Sequence, residues 1–232
     1  MEKYKILIIG FMALIASYSC SSDDASDNSR ETAFFPSKIN VSAGGDAEEA
    51  TIRYNEENQL VGITTTNSSS YEYSYQDDGL INQILNTNNG NSYEIEYDGT
   101  LISNITRVSD GGNIPVSYAD GRYDLEGGFA IFNNQNQLIQ RNDINIEYSD
   151  LAGPFQVLDF QPILYLDDFD FLFVNYILSK NEIIQLRADI GTFTFTSERD
   201  ENNNIVDARA VDESGNERFV FTIEYEQKTI IN

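Results

Sequence analysis

Histidine and tryptophan are absent from the 232 residues of this chain, and cysteine occurs once. Without imidazole there is no Ser-His-acid triad, no histidine-bearing zinc set and no histidine general base. A single thiol makes no intramolecular disulfide, so no covalent staple is available to the fold. Basic residues are scarce: 14 Lys and Arg face 38 Asp and Glu, a net charge of −24. Nucleic acid and anionic lipid headgroups are therefore poor partners, because each phosphate would be repelled instead of shedding counterions. Carboxylate-only chemistry survives, as in glycoside hydrolysis by two acidic residues. With so many carboxylates, composition selects no such pair, and no reaction is assignable.

The lone cysteine, Cys20, stands where an apolar stretch meets an acidic one. Lys3 and Lys5 precede an uncharged run from Ile6 to Ala16, followed by Ser17-Tyr18-Ser19-Cys20. This is the layout of a secretory signal with small residues at the cut, and the apolar run is too short to span a bilayer as a helix. The bland alternative is an ordinary cleaved signal with a cysteine nearby, which would leave an exported protein with an unpaired thiol. The small residues before Cys20 resemble the lipobox of bacterial lipoproteins. That resemblance implies a signal peptide over residues 1–19, a diacylated Cys20 as the new N-terminus, and a membrane tether that does not span.

Ser21-Ser22-Asp23-Asp24 and Asp27 follow. They resemble the acidic export signal of surface lipoproteins in the Bacteroides and Flavobacterium group, which implies an outer-membrane address with surface exposure. Residues 20–45, with Ser26, Asn28, Ser29, Ser42, Gly44 and Gly45, read as a flexible stalk. Residues 46–232 then read as one domain, long enough for a sizeable core.

In that body a tyrosine-centred unit recurs, with Tyr54, Tyr75, Tyr97 and Tyr118 at near-equal spacing. A fixed period of this kind marks a repeated supersecondary unit. Tyr54-Asn55-Glu56-Glu57-Asn58-Gln59-Leu60 is echoed by Phe132-Asn133-Asn134-Gln135-Asn136-Gln137-Leu138, and Tyr225 to Ile231 reads as a closing unit. Around these units apolar and polar residues alternate: Tyr71, Tyr73 and Tyr75 flank Glu72 and Ser74, while Tyr93, Ile95 and Tyr97 flank Glu94 and Glu96. Period two describes strands with one dry and one wet face, and the Asn, Asp and Gly between them are turn residues. The expectation is an all-β fold, mainly an antiparallel β-meander of hairpins, with Tyr75, Tyr97 and Tyr225 inside and Glu72, Glu94 and Glu96 in water.

Tyr97-Asp98-Gly99-Thr100-Leu101 resembles the tyrosine-aspartate (YD) repeat of bacterial surface and toxin-shell proteins; the other units depart from it, with Asn55, Gln76 or Asn133 in place of the aspartate. Taken with the lipobox and the stalk, the whole chain resembles Bacteroides-group surface lipoproteins with a YD-like β domain of unknown function. The resemblance implies a fold and an address, and carries no catalytic residues.

Residues 155–187 interrupt the repeat with a short apolar insert. Phe169, Leu172, Phe173, Tyr176 and Ile177 fit one face of a helix, and a strand through Phe169, Phe171 and Phe173 fits as well. Its expected role is to cover the dry face of the sheet. Asp167, Asp168 and Asp170 are close enough in sequence to share a hard cation, although a solvated turn is the favoured reading of them. Glu72, Glu94 and Glu96 form a second candidate contact set on the wet face, where bound calcium or simple hydration would relieve their repulsion. Asp200, Asn202 and Asn204 match the first positions of an EF-hand loop, but Ile205 and Val211 stand where its glycine and bidentate glutamate belong. The functional expectation is an outer-membrane surface lipoprotein with a binding or scaffolding role toward a neutral glycan or a surface protein. The alternatives are a carboxylate-based glycan hydrolase and a purely structural surface protein.

Overall fold

The computed structural model describes residues 31–67, 70–158, 161–166 and 178–230. Among the described residues sixteen strands follow one another: β1 (Glu31–Ala43), β2 (Asp46–Tyr54), β3 (Leu60–Thr65), β4 (Tyr71–Tyr75), β5 (Ile81–Asn86), β6 (Ser92–Asp98), β7 (Leu101–Arg107) and β8 (Gly112–Ala119) form the first half. The second half comprises β9 (Arg122–Leu125), β10 (Gly128–Phe132), β11 (Leu138–Arg141), β12 (Ile144–Ala152), β13 (Asn181–Ala188), β14 (Gly191–Arg199), β15 (Ile205–Asp212) and β16 (Glu217–Ile230). Each pairs antiparallel with its neighbours in sequence, and β1 pairs with β16 from Glu31↔Ile230 to Ala43↔Phe219, closing a barrel. Closure pairs every strand on both sides and removes the sheet edges at which other chains could add.

The all-β, antiparallel expectation holds; closure into a barrel was not foreseen. One boundary is corrected. The stalk was expected to reach residue 45, yet residues 31–43 are strand β1, because Phe35, Ile39 and Val41 supply an inward row that is buried against the core. Residues 1–30, Cys20 among them, lie outside the described residues.

The alternation sorts side chains by face. Tyr71, Tyr73, Ile95, Phe221 and Ile223 are buried inside, whereas Glu72, Glu94, Glu96, Thr222 and Glu224 are exposed outside. Outward pairs such as Arg53–Glu72 (3.0 Å) and Arg187–Glu147 (2.8 Å) sit in water, where each contributes about 0–1 kcal/mol. The described interior is apolar. One apolar cluster runs from Phe35 and Ile39 through Ile84, Ile105 and Tyr123 to Phe221 and Ile223.

Part of that filling comes from the β12–β13 connection, residues 153–180. Phe155, Leu158, Ile163, Leu164 and Leu178 are all buried in the barrel cluster, each worth about 1.5–3 kcal/mol of transfer free energy before ordering entropy is subtracted. The insert expected over 155–187 is thus shorter than expected, since residues 181–187 belong to β13, whose Leu186 pairs with Ile146 and Phe193. Its helix among the described residues is a single turn, α1 (Ile163–Leu166). The helix-or-strand alternatives over Phe169 to Ile177 fall outside the described residues.

Because the strands alternate in direction, the hairpin connections divide between two ends. The entry end carries Glu31, Ile230, the insert and the loops 55–59, 76–80, 99–100, 120–121, 133–137 and 200–204; the far end carries the remaining turns. Five loops share one backbone plan: Asn55–Gln59, Gln76–Leu80, Asn133–Gln137, Asp200–Asn204 and Asp212–Asn216. In each, the first N–H donates to the fifth carbonyl and the fourth N–H donates to the first carbonyl. The fourth residue has positive φ and is Asn58, Gly79, Asn136, Asn203 or Gly215, residue types that tolerate the left-handed region. In four of the five, the first residue's Oδ1 also accepts from the third and fifth N–H groups. This geometry underlies the repeated Asn-x-x-Asn-Gln pattern.

The tyrosines form a ladder at the entry end. Hydroxyls of Tyr54, Tyr75, Tyr97, Tyr148 and Tyr225 donate to the carbonyls of Pro36, Leu60, Ile81, Leu138 and Ile205 at 2.6–3.0 Å. Each ties one strand to the root of an earlier one, with its ring packed on the core. Burial raises the pKa of all five phenols well above the ordinary tyrosine value. Two sequence expectations change here. Tyr118 does not join the ladder: its ring is exposed, and its cross-strand partner Tyr123 is buried in its place, held by the Ile102 backbone. Tyr225 does join, but residues 225–230 continue β16 instead of turning.

Candidate functional site

The insert is fastened at both roots. Gly153 N–H donates to Lys180 C=O at 2.7 Å and Phe155 N–H to Ser179 C=O at 3.1 Å. A Cβ on Gly153 would lie 2.5 Å from the carbonyl oxygens of Asn181 and Ser179, so only glycine allows this approach. Beside it, the poorly exposed Arg199 guanidinium donates to Ala152 C=O (2.8 Å), Asn203 C=O (2.8 Å) and Glu182 Oε2 (3.2 Å). Ser149 and Ser197 hydroxyls also donate to the Glu182 carboxylate. A half-buried ion pair with its remaining lone pairs satisfied is the arrangement that offsets desolvation.

Gln161 then locks the insert across the barrel mouth: Ile81 N–H donates to its Oε1 and its Nε2 donates to Gly79 C=O, both at 2.7 Å. On each side of Gln161 a cleft of about 570 Å³ remains. The first lies between Glu56, Glu57, Tyr75 and Thr229. The second is bounded by Leu101, Tyr118, Asp120, Asn134, Asn136 and Pro162. Both volumes fall in the range of small-molecule sites. In the second, Tyr118 and Leu101 are 42% and 39% exposed, and the Tyr118 ring tilts against Tyr123 with centroids 4.7 Å apart. A smaller cavity of about 110 Å³ lies near the far end beside Tyr93, Phe129 and Arg141.

Of the residues singled out by sequence, Glu72, Glu94 and Glu96 line neither cleft. Cys20, Asp167, Asp168 and Asp170 lie outside the described residues. Glu72 is paired with Arg53, Glu96 accepts from Asn104 Nδ2 at 3.3 Å, and Glu94 stands opposite Gln83 and Thr106. They were expected on neighbouring strands; β5 separates β4 from β6, so Glu72 stands a strand away from the other two. Among the described residues no group of three or more His, Cys, Asp or Glu side chains is placed to hold a metal ion. Asp200, the first position of the partial EF-hand match, is occupied by its own loop. Partial desolvation pushes its pKa up, but hydrogen bonds from Asn204 and Asn202 outweigh this and hold the carboxyl below its usual range. Sequence reasoning missed Gln161, Leu101 and the cleft role of Tyr118. The available signal was Ala119 after Tyr118, where the sister units carry Asn, Gln or Asp.

No family model matches the chain, and no curated protein matches it. Among solved structures it is similar to a porin-like protein from Bacteroides vulgatus, at 10% identity over 84% of this chain and 99% of that one, with a TM-score of 0.46. A porin-like protein from Bacteroides uniformis is similar at 15% identity over 83% of this chain and 98% of that one, with a TM-score of 0.36. Likenesses this distant assign no function to the chain.

Proposed function

We propose that this protein is a lipid-anchored outer-membrane surface protein with a binding or scaffolding role, whose barrel stands in water and is not a pore. The observation that carries the reading is the polarity of the barrel. A membrane-crossing β-barrel turns an apolar band outward and a polar lumen inward. Here the outward rows carry Arg53, Glu72, Glu94, Glu96, Glu147, Arg187 and Glu224, while the inward rows pack into one apolar cluster. Among the described residues no helix is long and apolar enough to cross a membrane either. The link to the membrane is then the acylated Cys20, two chains sufficing for stable anchoring. The eleven residue-to-residue steps from Cys20 to Glu31 reach at most about 40 Å, so the entry end with its clefts stays near the anchor. The −24 charge and the mixed lining of the clefts favour a neutral partner, a glycan or a surface protein, over a polyanion.

Mass spectrometry of the membrane-extracted N-terminal peptide should show the acyl mass on Cys20, and Cys20→Ala should move the protein to the soluble fraction. Protease added to intact cells should cleave it, and liposomes carrying it should stay impermeable to small sugars. An unmodified thiol, an unchanged membrane fraction with Cys20→Ala, or solute leakage would overturn the reading.

A further inference from the structure

We propose that the cleft between Tyr118, Leu101 and Asn134 is a binding site for an uncharged saccharide, with the Tyr118 ring as its platform. The inference rests on the binding role proposed above and names the ligand class. Its starting point is the tyrosine ladder. Tyr118 occupies the ladder position of its hairpin and shares an inward face with Tyr123, yet it alone of the set leaves its hydroxyl out of the inter-strand bond and its ring in solvent. Tyr123 already fills the core there, at 2% exposure. Tyr118 is thus relieved of packing duty and braced against another ring.

The surroundings match one chemistry. Of the large apolar side chains exposed among the described residues, Tyr118 is the only aromatic one, and Leu101 shares its cleft while Val108, Leu151, Ile184 and Ile190 line neither. The C–H face of a sugar ring is polarised by its oxygens and packs on the negative face of an aromatic ring. Its hydroxyls need donors and acceptors together, which Asn134 and Asn136 amides supply, and the Asp78 and Asp120 carboxylates add acceptors. Those two carboxylates, on a chain of net charge −24, repel sulfated or uronic sugars.

The test uses the mature protein against maltohexaose, cellohexaose, xylohexaose and mannohexaose, with hexagalacturonate as the anionic control, read by calorimetry. A neutral hexasaccharide should bind and the galacturonate should not. Tyr118→Ala should weaken binding about tenfold or more, roughly the loss of one stacked ring, while Tyr118→Phe and the distant Ile190→Ala should leave it within about threefold. A cooperative thermal transition in each variant, with any drop for Tyr118→Ala limited to its contact with Tyr123, shows that the fold is intact. Binding unaffected by Tyr118→Ala, preference for the galacturonate, or no binding across the panel would overturn the saccharide site. The acylation, protease and liposome measurements do not involve this cleft, so they judge the anchored-surface reading separately.

Discussion

The Gln161 side-chain amide pairs with the backbone where the Gln76–Leu80 loop enters β5 as a strand would, accepting from Ile81 N–H and donating to Gly79 C=O at 2.7 Å each. The bond pair joins residues far apart in sequence and sets the insert between the two clefts. Gln161→Ala leaves the partly buried Ile81 amide without its acceptor, a cost of about 1–3 kcal/mol. Urea unfolding should show that loss, and hydrogen exchange at Ile81 should accelerate more than at the outward-facing Glu94. Unchanged exchange at Ile81 would show that the amide pair does not hold the insert.

The ladder separates hydroxyl from ring. Tyr97→Phe removes only the bond to Ile81 C=O, about 1 kcal/mol. Tyr97→Ala also empties core volume and should cost about 3–5 kcal/mol. Glu96→Gln, on the wet face, should leave the unfolding midpoint within about 0.5 kcal/mol of the parent. Comparable losses from Tyr97→Ala and Glu96→Gln would mean that the faces are reversed.

Alkali should unfold the protein through the same tyrosines. Burial first of all raises the phenol pKa of Tyr54, Tyr75, Tyr97, Tyr148 and Tyr225 above the ordinary 10.0. A raised folded-state value means stability that is complete below the unfolded value of about 10 and is lost as pH climbs toward the folded values. Phenolate absorbance and circular dichroism, followed above pH 10, should therefore change together for these residues. Ladder tyrosines ionising while the β signal persists would contradict their burial.

Asp212 behaves in the opposite sense at acid pH. The Asn216 backbone N–H, with help from Arg218, Asn216 and Ser214, lowers its pKa to about 2. A depressed folded value gives stability that is present above the unfolded value of about 3.9 and lost as pH falls toward 2. Carboxyl NMR should find Asp212 still ionised at pH 3, and Asp212→Ala should reduce the pH dependence of unfolding between about pH 4 and 2. A carboxyl titrating at the ordinary value would show that the loop does not hold it.

Legibility in the sequence followed the range of the interaction. The Asn133 loop, the inward set of Tyr71 and Ile95, and the outward set of Glu72 and Glu96 are read from neighbours a few residues apart, since backbone alternation and turn chemistry are local. The insert was legible as an interruption but not as a plug, because Ile163 and Leu164 look the same whether they cover a sheet or fill a barrel. Tyr118 looked like a ladder member because its spacing is right; whether its ring or that of Tyr123 takes the core volume depends on packing across the β8–β9 hairpin.

By itself the sequence determined that the chain is built of antiparallel hairpins with a dry and a wet side, and which residue types stand at each turn. Period-two alternation is common to open sheets, sandwiches and barrels, so it does not determine closure. Tertiary structure decided that Glu31 meets Ile230 and that the dry face curls inward around the insert. It also decided that clefts flank Gln161 at the entry end. Closure and the clefts depend on strand count, register and the volume left to fill, which contacts between distant residues set together.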